Sequence, residues 1–294
     1  MARTSTLKVC ALNIAMHDPH SPELYIDLMQ TAYNSRSYAA KGDYHAFIGS
    51  IYPIDKNDKL KGITGEIYKF LHLDPTEPWF NLLNKEEAKE EELYEINIPA
   101  HLKPHLTKYP FVFFPKGHRL YFQTNGKHKI SPSSAALIFE KIFCHEDSQK
   151  FGEVEITVEP DKDELEDIFN MATVQRLHIE LFRPNPDDHE EYEKKLLERL
   201  RRQNANRMKI DLTSVRGQTL EPDEETKALA NVAASNGYVI ASGRDLDGQS
   251  IERSTKNIPW IENFPYNSEQ QTFNDALLQV AEQMHNQLLC IPAH

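Results

Sequence analysis

Apolar residues follow two spacings along this chain, and the dominant spacing changes between its two halves. In the first half, apolar residues alternate or run together, which is typical of strands, while one early segment (22–33) repeats them at helical steps. A charged stretch at 80–92 predicts a short helix. The predicted strands of this half are residues 7–15, 44–52, 60–71, 93–99 and the hairpin 111–123.

The second half predicts strands that alternate with helices. Pro160 and the acidic residues after it indicate a helix start, and Asp247-Gly248 is a turn sequence that predicts a hairpin. The predicted strands are 153–159, 176–182, 208–213, 238–243 and 249–255; the predicted helices follow Pro160 and span 187–206, 222–235 and 267–289.

This order of elements predicts an α/β protein with α+β elements: mixed sheets, helices packed on one face, and two connected halves. The polar segment CHEDSQK at 144–150 links the halves. We therefore expect an N-terminal domain at 1–146 with long antiparallel strands and a C-terminal βαβαβαββα domain at 147–294.

Composition narrows the class of protein. The net charge of −12 excludes a uniformly basic surface for nucleic acid, so a polyanion would need a local patch. The three cysteines Cys10, Cys144 and Cys290 form no CxxC pair and lie in apolar segments, which predicts buried free thiols in a reducing cytoplasm. No apolar run is long enough to cross a membrane, so no membrane partner is expected.

Common catalytic and cofactor motifs are absent from the sequence. There is no P-loop, no GxGxxG, no GxSxG and no HExxH, so we predict no cofactor. His17 and His20 bracket Asp18 and could bind a metal. A helix-capping turn explains Asp18 and Ser21 equally well, and we predict no metal site.

The first of three basic concentrations lies in the PKGH turn and the NGKHK loop. Lys116, Arg119, Lys127 and Lys129 make this region positive within an acidic chain. A solvated turn is the simplest interpretation, and contact with an anion or nucleic acid is the functional one. His118 is a weak candidate for a catalytic base beside Lys116 or Arg119.

The second concentration of basic residues lies at the C-terminal end of the predicted helix 187–206. Arginine forks pair well with phosphates, and helix electrostatics alone do not require three arginines within four positions. A solvated helix end and a nucleic-acid patch both fit. The residues are Arg199, Arg201, Arg202, Arg207 and Lys209.

The third concentration is the polar hairpin near the C-terminus. Arg244, Arg253 and Lys256 could lie along a nucleic-acid backbone. The carboxylates of Asp245, Asp247 and Glu252 reduce the net positive charge of this hairpin. The alternative to nucleic-acid contact is therefore an ordinary charged hairpin at the edge of a sheet.

The predicted terminal helix carries one apolar stripe, which includes Phe273 and Val280. Docking onto the sheet of the same chain explains most of it. We expect Met284 and Leu288 to lie at a contact between two subunits of a homodimer.

Three segments carry a family resemblance: LNIAMHDPHSPELY, GEIYKFLHLDPTEPWF and HLKPHLTKYPFVFFPKGHRLYF. They resemble an uncharacterised bacterial domain-of-unknown-function family. From Tyr109 onward, the order of elements is also similar to RexA-like proteins, named after the phage lambda exclusion protein RexA. That resemblance implies dimeric DNA binding and a sensor role in anti-phage defence.

The expected function is therefore a cytoplasmic, non-enzymatic nucleic-acid-binding component of a bacterial defence system, with DNA favoured over RNA. A homodimer and a second defence protein are the expected partners. Two alternatives stay open: a metal-independent ribonuclease using His118, and a protein-interaction subunit of a defence or toxin-antitoxin complex.

Overall fold

A computed structural model describes residues 4–17, 20–35, 38–74, 77–93, 98–99, 101–183 and 191–289. The helices are α1 (Pro22–Asn34), α2 (Glu90–Leu93), α3 (Pro132–Phe143), α4 (Lys162–Phe169), α5 (Glu191–Arg202), α6 (Glu224–Ser235) and α7 (Phe273–Leu289). The strands are β1 (Thr4–Met16), β2 (Tyr38–Lys41), β3 (Tyr44–Pro53), β4 (Ile63–Leu71), β5 (Phe80–Asn81), β6 (Glu86–Glu87), β7 (Thr107–Phe114), β8 (Arg119–Gln123), β9 (Val154–Val158), β10 (Thr173–Phe182), β11 (Arg207–Thr213), β12 (Gly237–Arg244), β13 (Ser250–Ser254) and β14 (Ile261–Asn267).

Eight strands form a large sheet in the order β14-β1-β8-β7-β4-β3-β2, with β9 also paired to β1. The long strand β1 makes this possible. One of its edges pairs with β8, and the other pairs first with β14 and then with β9.

The alternation of side chains along β1 separates two cores on the faces of this sheet. Cys10, Leu12 and Ile14 pack with α1 and α3 on one face. Leu7 and Val9 pack with α7 on the other face. The large sheet is therefore covered on both sides, whereas the sequence indicated helices on one face.

Four further strands form a smaller sheet in the order β11-β10-β12-β13, and β5 and β6 form a separate two-stranded sheet. The chain leaves the large sheet after β9 and returns to it at β14. Pro160 and Pro259 form a bridge there, and Asp161 N–H donates to the carbonyl of Ile258 at 2.9 Å. The smaller sheet and its helices are thus inserted between β9 and β14, two strands that pair with successive parts of the same edge of β1.

Strand pairing therefore crosses the division predicted near residue 146. β9, β14 and α7 all follow that residue, yet they belong to the large sheet. The assignment of domains 1–146 and 147–294 stays a prediction. The sheets themselves separate at residues 160 and 259.

The mixed α and β fold class is confirmed, with helices packed alongside sheets. Every strand pair in the described residues is antiparallel, so the expected parallel component is not found there. Ser21 caps α1 as expected, since it accepts a hydrogen bond from a backbone N–H in the first turn; Asp161 and Asp223, for which no cap was predicted, do the same for α4 and α6.

The helix predicted at 80–92 is wrong for most of its length. Residues 80–87 form the small hairpin β5–β6, and only α2 is helical. Asn81 accepts a hydrogen bond from Leu83 N–H, and Asn84 accepts one from Glu86 N–H. These side chains replace helical hydrogen bonds by turns. Most of the strand predicted at 93–99 lies outside the described residues.

Two strands were missed, and two side chains lie elsewhere than predicted. β2 and β14 were not predicted, and Asn267, the last residue of β14, was assigned to the last helix. Met284 is fully buried against the large sheet of its own chain, so its expected place at a dimer contact is wrong. Cys10 is buried as predicted, Cys144 is exposed, and Cys290 lies outside the described residues.

Candidate nucleic-acid interface

The smaller sheet has one covered face and one open face. Leu177 and Ile179 of β10 pack with α4, α5 and α6 on the covered face. Side chains at alternating positions point to the other side. We call this surface the open face; it carries Arg176, His178, Glu180, Phe182, Arg207, Lys209, Asp211, Thr213, Tyr238, Ile240, Ser242, Arg244, Glu252 and Lys256.

Glu180 lies at the centre of the open face and organises its cations. The Tyr238 hydroxyl donates to Glu180 at 2.5 Å, and Lys209 Nζ lies 3.1 Å from the same carboxylate oxygen. Arg207 is 3.6 Å from the other oxygen. The hydrogen bond from Tyr238, followed by Lys209 and Arg207, lowers the pKa of Glu180. The same hydrogen bond raises the pKa of Tyr238 to about 12, so the phenol stays protonated at neutral pH.

Aromatic rings lie between these charges. The His178 and Tyr238 rings have centroids 5.8 Å apart, and Lys256 Nζ lies 4.7 Å from the centroid of the Tyr238 ring. At one edge, the Arg207 guanidinium covers the ring of Phe182 at 4.8 Å. Rings and cations at this spacing can stack with bases and contact phosphates.

A polar pocket lies at one end of the open face. β10 starts there with a bulge at Gln175, where pairing with β12 shifts between Val174 and Arg176. Bulges redirect side chains and often lie beside functional sites. The walls come from the start of β10, the loop 214–219 and the end of β12. The lining residues are Thr173, Gln175, Arg176, Thr213, Ser214, Arg216, Gly217, Gln218, Thr219 and Arg244.

The described lining of this pocket holds three arginines and no carboxylate. Arg244 Nη1 donates to the carbonyl of Gly248 at 2.8 Å. Within the described part of the chain, the Arg176 and Arg216 side chains make no hydrogen bond or ion pair. Their donors are therefore available to an anion. Gly217 has φ +85°, a conformation that favours glycine and shapes the loop around Arg216.

Four of the basic residues predicted from the sequence meet on the open face: Arg207, Lys209, Arg244 and Lys256. Arg176 and Arg216 were missed. Arg176 begins the alternating polar series Arg176, His178, Glu180 of its strand, and that period of two was the available signal. Arg216 stands beside a glycine in a polar loop after a strand, which is a weaker signal.

The other predicted residues of the second half lie on the helix side of the smaller sheet. Arg199, Arg201 and Arg202 are exposed on α5, whose Leu196 and Leu200 pack in the core below the covered face. Arg253 also points to that side, where it lies 3.1 Å from Glu164 and 2.9 Å from Asp167. Its charge is thus balanced by α4.

The basic turn and loop of the large sheet are separated by the length of β8. Lys116 precedes this strand, whereas Lys127 and Lys129 follow it, and all three are exposed. Arg119 is buried, and its Nε lies 2.5 Å from Glu159. It therefore does not belong to the solvated turn in which the sequence placed it.

His118 lies in a buried aromatic environment. Only 1% of its surface is exposed, and its ring centroid is 5.0 Å from that of Tyr25 and 5.3 Å from that of His20. Burial, and after it the charges of Arg119, His20 and His285, lower the pKa of His118 well below its usual value. A polymer substrate has no access to it here, so the geometry gives the ribonuclease interpretation no support.

His17 and His20, the two histidines that could bind a metal together with Asp18, are among the described residues. His17 Nε2 lies 3.9 Å from Glu155, and His20 Nδ1 lies 3.0 Å from the carbonyl of Met16. No group of three or more His, Cys, Asp or Glu side chains among the described residues could hold a metal ion. Asp18 lies outside the described residues.

None of the described helices has the length and apolar character needed to cross a membrane.

Comparison with known proteins identifies a family for nearly the whole chain. No curated protein matches it. The family model described as "Domain of unknown function (DUF4747)" matches residues 5–282. That span includes both sheets, the open face and the arginine-lined pocket, and the chain therefore belongs to the DUF4747 family.

Proposed function

We propose that this protein binds single-stranded nucleic acid on the open face of its smaller sheet. The observation that carries the proposal is the charge of this face. Arg176, Arg207, Lys209, Arg244 and Lys256 outnumber the carboxylates of Glu180, Asp211 and Glu252 on one surface of a chain whose net charge is −12. A local cationic surface supplies the electrostatic part of nucleic-acid affinity.

The shape of the face favours a single strand over a duplex. Four neighbouring strands place the outer two about 15 Å apart, whereas the major groove of B-DNA is about 12 Å wide. The sheet is too wide to enter that groove. A single strand can instead lie across the sheet, with bases near His178 and Tyr238. Base stacking on a ring contributes on the order of 1–3 kcal/mol per base.

The proposal also includes the biological setting. The preferred nucleic acid is DNA, the protein is a cytoplasmic homodimer with a second defence protein as partner, and it acts as a sensor in anti-phage defence. These points rest only on the order of elements predicted from the sequence for residues 109–294, which resembles that of RexA-like proteins. In this proposal the protein acts by binding nucleic acid and catalyses no reaction. Within one chain, the described helices α4, α5 and α6 pack on the other side of the smaller sheet and leave the open face uncovered.

Binding can be measured by fluorescence anisotropy with a labelled oligonucleotide as single-stranded DNA, single-stranded RNA and duplex DNA. Each is titrated over a series of sodium chloride concentrations. We expect single strands to bind more tightly than the duplex. The logarithm of the association constant should fall linearly with the logarithm of salt concentration.

The decisive variant is Lys209→Gln with Lys256→Gln. Both side chains are on the open face, and Glu180 keeps Tyr238 and Arg207 as partners. Loss of two phosphate contacts should reduce the salt slope by about 1.4 for a single strand. Lys127→Gln with Lys129→Gln is the matched control on the large sheet. Equal affinity and slope in the wild type and the open-face variant, with unchanged melting temperature, would contradict the proposal.

A further inference from the structure

The arginine-lined pocket differs from the rest of the open face in shape and in charge balance. Along the sheet, Glu180 partly neutralises Lys209 and Arg207, and Asp211 lies 2.6 Å from His178 Nδ1. In the pocket, Arg176, Arg216 and Arg244 converge from three chain segments, and the described lining contains no carboxylate. The pocket therefore brings arginines together without a neutralising carboxylate in its described lining.

Backbone hydrogen bonds hold the outer wall of the pocket in place. Ser214 N–H donates to the carbonyl of Gln175 at 2.8 Å, and Leu220 N–H donates to the carbonyl of Val174 at 2.7 Å. Between them, the Thr219 hydroxyl accepts from Val174 N–H at 2.9 Å. The loop is thus attached to the bulge at both ends. Arg216 projects from a wall whose position is already set before a ligand binds.

The chemistry of the lining suits a phosphate that ends a chain. An internal phosphodiester carries one negative charge and two free oxygens. A terminal phosphomonoester carries about −1.5 to −2 charges at pH 7 and three acceptor oxygens. Three arginine forks match the larger charge and oxygen number, because guanidinium groups bind phosphate oxygens in pairs. The hydroxyls of Thr213 and Ser214 line the same pocket and can add hydrogen bonds.

We propose that this pocket binds the terminal phosphomonoester of a single-stranded nucleic acid whose following nucleotides lie on the open face. The inference rests on the proposed function and extends it, since it makes the protein a reader of phosphorylated ends. A free nucleoside monophosphate offers the same phosphomonoester, and the experiment has to distinguish the two sources.

The test uses one oligonucleotide sequence with a 5′-phosphate, with a 3′-phosphate or with hydroxyls at both ends. Anisotropy competition measures the three affinities for the full chain. We expect one phosphorylated form to bind roughly tenfold more tightly than the hydroxyl form, the effect of about one charge-assisted contact. A nucleoside monophosphate should compete only at much higher concentration, because it lacks the contacts along the open face.

Arg216→Gln should reduce the preference for the phosphorylated end, measured as the ratio of the affinities of the phosphorylated and hydroxyl forms, because one of the three arginines of the pocket is lost. Arg199→Gln, on the exposed side of α5, is the matched control and should retain the preference. Melting temperatures check that both variants fold.

Three results would overturn the inference. The first is equal affinity of the wild type for all three forms, which leaves the proposed function in place. The second is an undiminished preference in Arg216→Gln. The third is a nucleoside monophosphate that competes as well as the phosphorylated oligonucleotide, which would assign the pocket to free nucleotides. Absence of binding to every oligonucleotide would instead refute the proposed function itself.

Discussion

Arg119 Nε lies 2.5 Å from a carboxylate oxygen of Glu159, and both side chains are buried. The pair belongs to a network that joins the two sheets. Arg119 Nη1 donates to the Asn13 side chain at 2.7 Å, and the Asn13 amide donates to the carbonyl of Ser235 at 3.1 Å. The Ser235 hydroxyl donates back to Glu159 at 3.2 Å. The end of α6 is thereby tied to β1, β8 and the residue after β9.

Arg119→Met should destabilise the protein by about 3–5 kcal/mol, because it leaves the buried carboxylate of Glu159 without its counter-charge. Urea unfolding at pH 7 measures the change. Arg119→Met combined with Glu159→Gln should recover part of the loss, since the uncompensated charge is then gone. Lys61→Met, which removes an exposed ion pair with Asp55, is the control and should leave the unfolding midpoint unchanged. Equal midpoints for Arg119→Met and this control would contradict a stabilising role of the pair.

His285 should make the fold sensitive to mild acid. Burial, and after it the charge of Arg119, lowers the pKa of His285 from 6.5 to about 4. Between these values the unfolded chain binds a proton that the folded protein does not, so stability is lost as the pH falls from 6.5 towards 4. The loss from this group is on the order of 3 kcal/mol.

His285→Gln tests this, because the glutamine amide can still hydrogen-bond with the Tyr121 hydroxyl, which lies 3.2 Å from His285 Nδ1. Urea midpoints at several pH values between 7 and 4 should fall less steeply in the variant. His118 also has a lowered pKa and remains, so part of the slope should persist. Parallel pH curves for wild type and variant would rule out the contribution of His285.

Tyr238→Phe should lower stability at neutral pH by about 1.5–3 kcal/mol, the usual contribution of a hydrogen bond to a charged group. The lowered pKa of Glu180 stabilises the fold above the carboxyl's ordinary pKa, and this stabilisation is lost as the pH falls. The difference between wild type and variant should therefore shrink at acidic pH. Tyr266→Phe, on β14 of the large sheet, serves as the control for loss of a phenol hydroxyl. A difference that stays constant down to acidic pH would exclude the link to Glu180.

A matched pair of double variants distinguishes the open face from the helix side. Arg201→Gln with Arg202→Gln removes two charges from α5, as Lys209→Gln with Lys256→Gln removes two from the open face. If phosphates contact the open face, the α5 variant should bind single strands within about twofold of the wild type and keep its salt slope. A slope reduced in the α5 variant alone would favour the arginine cluster predicted from the sequence.

The sequence by itself determined most elements, because spacing of apolar residues is a local property. A period of two marks β10 and β12, a period near 3.6 marks α1 and α7, and short polar side chains mark the helix starts. Prediction failed where another local or distant interaction competed. Asn81 and Asn84 form turns within an otherwise helix-like segment. β14 contains Pro265 and depends on pairing with β1 from the opposite end of the chain.

The candidate site required the tertiary structure. Sequence proximity grouped Arg199, Arg201 and Arg202 with Arg207 and Lys209, yet the first three lie on the helix side and the last two on the open face. Arg119 follows a polar turn in the sequence, but its partner Glu159 arrives only after β9, and the pair is buried. Strand register and a bulge bring Arg176, Arg216 and Arg244 to one pocket. The direction of a side chain and the partner that neutralises it depend on contacts between distant segments, and no local pattern specifies them.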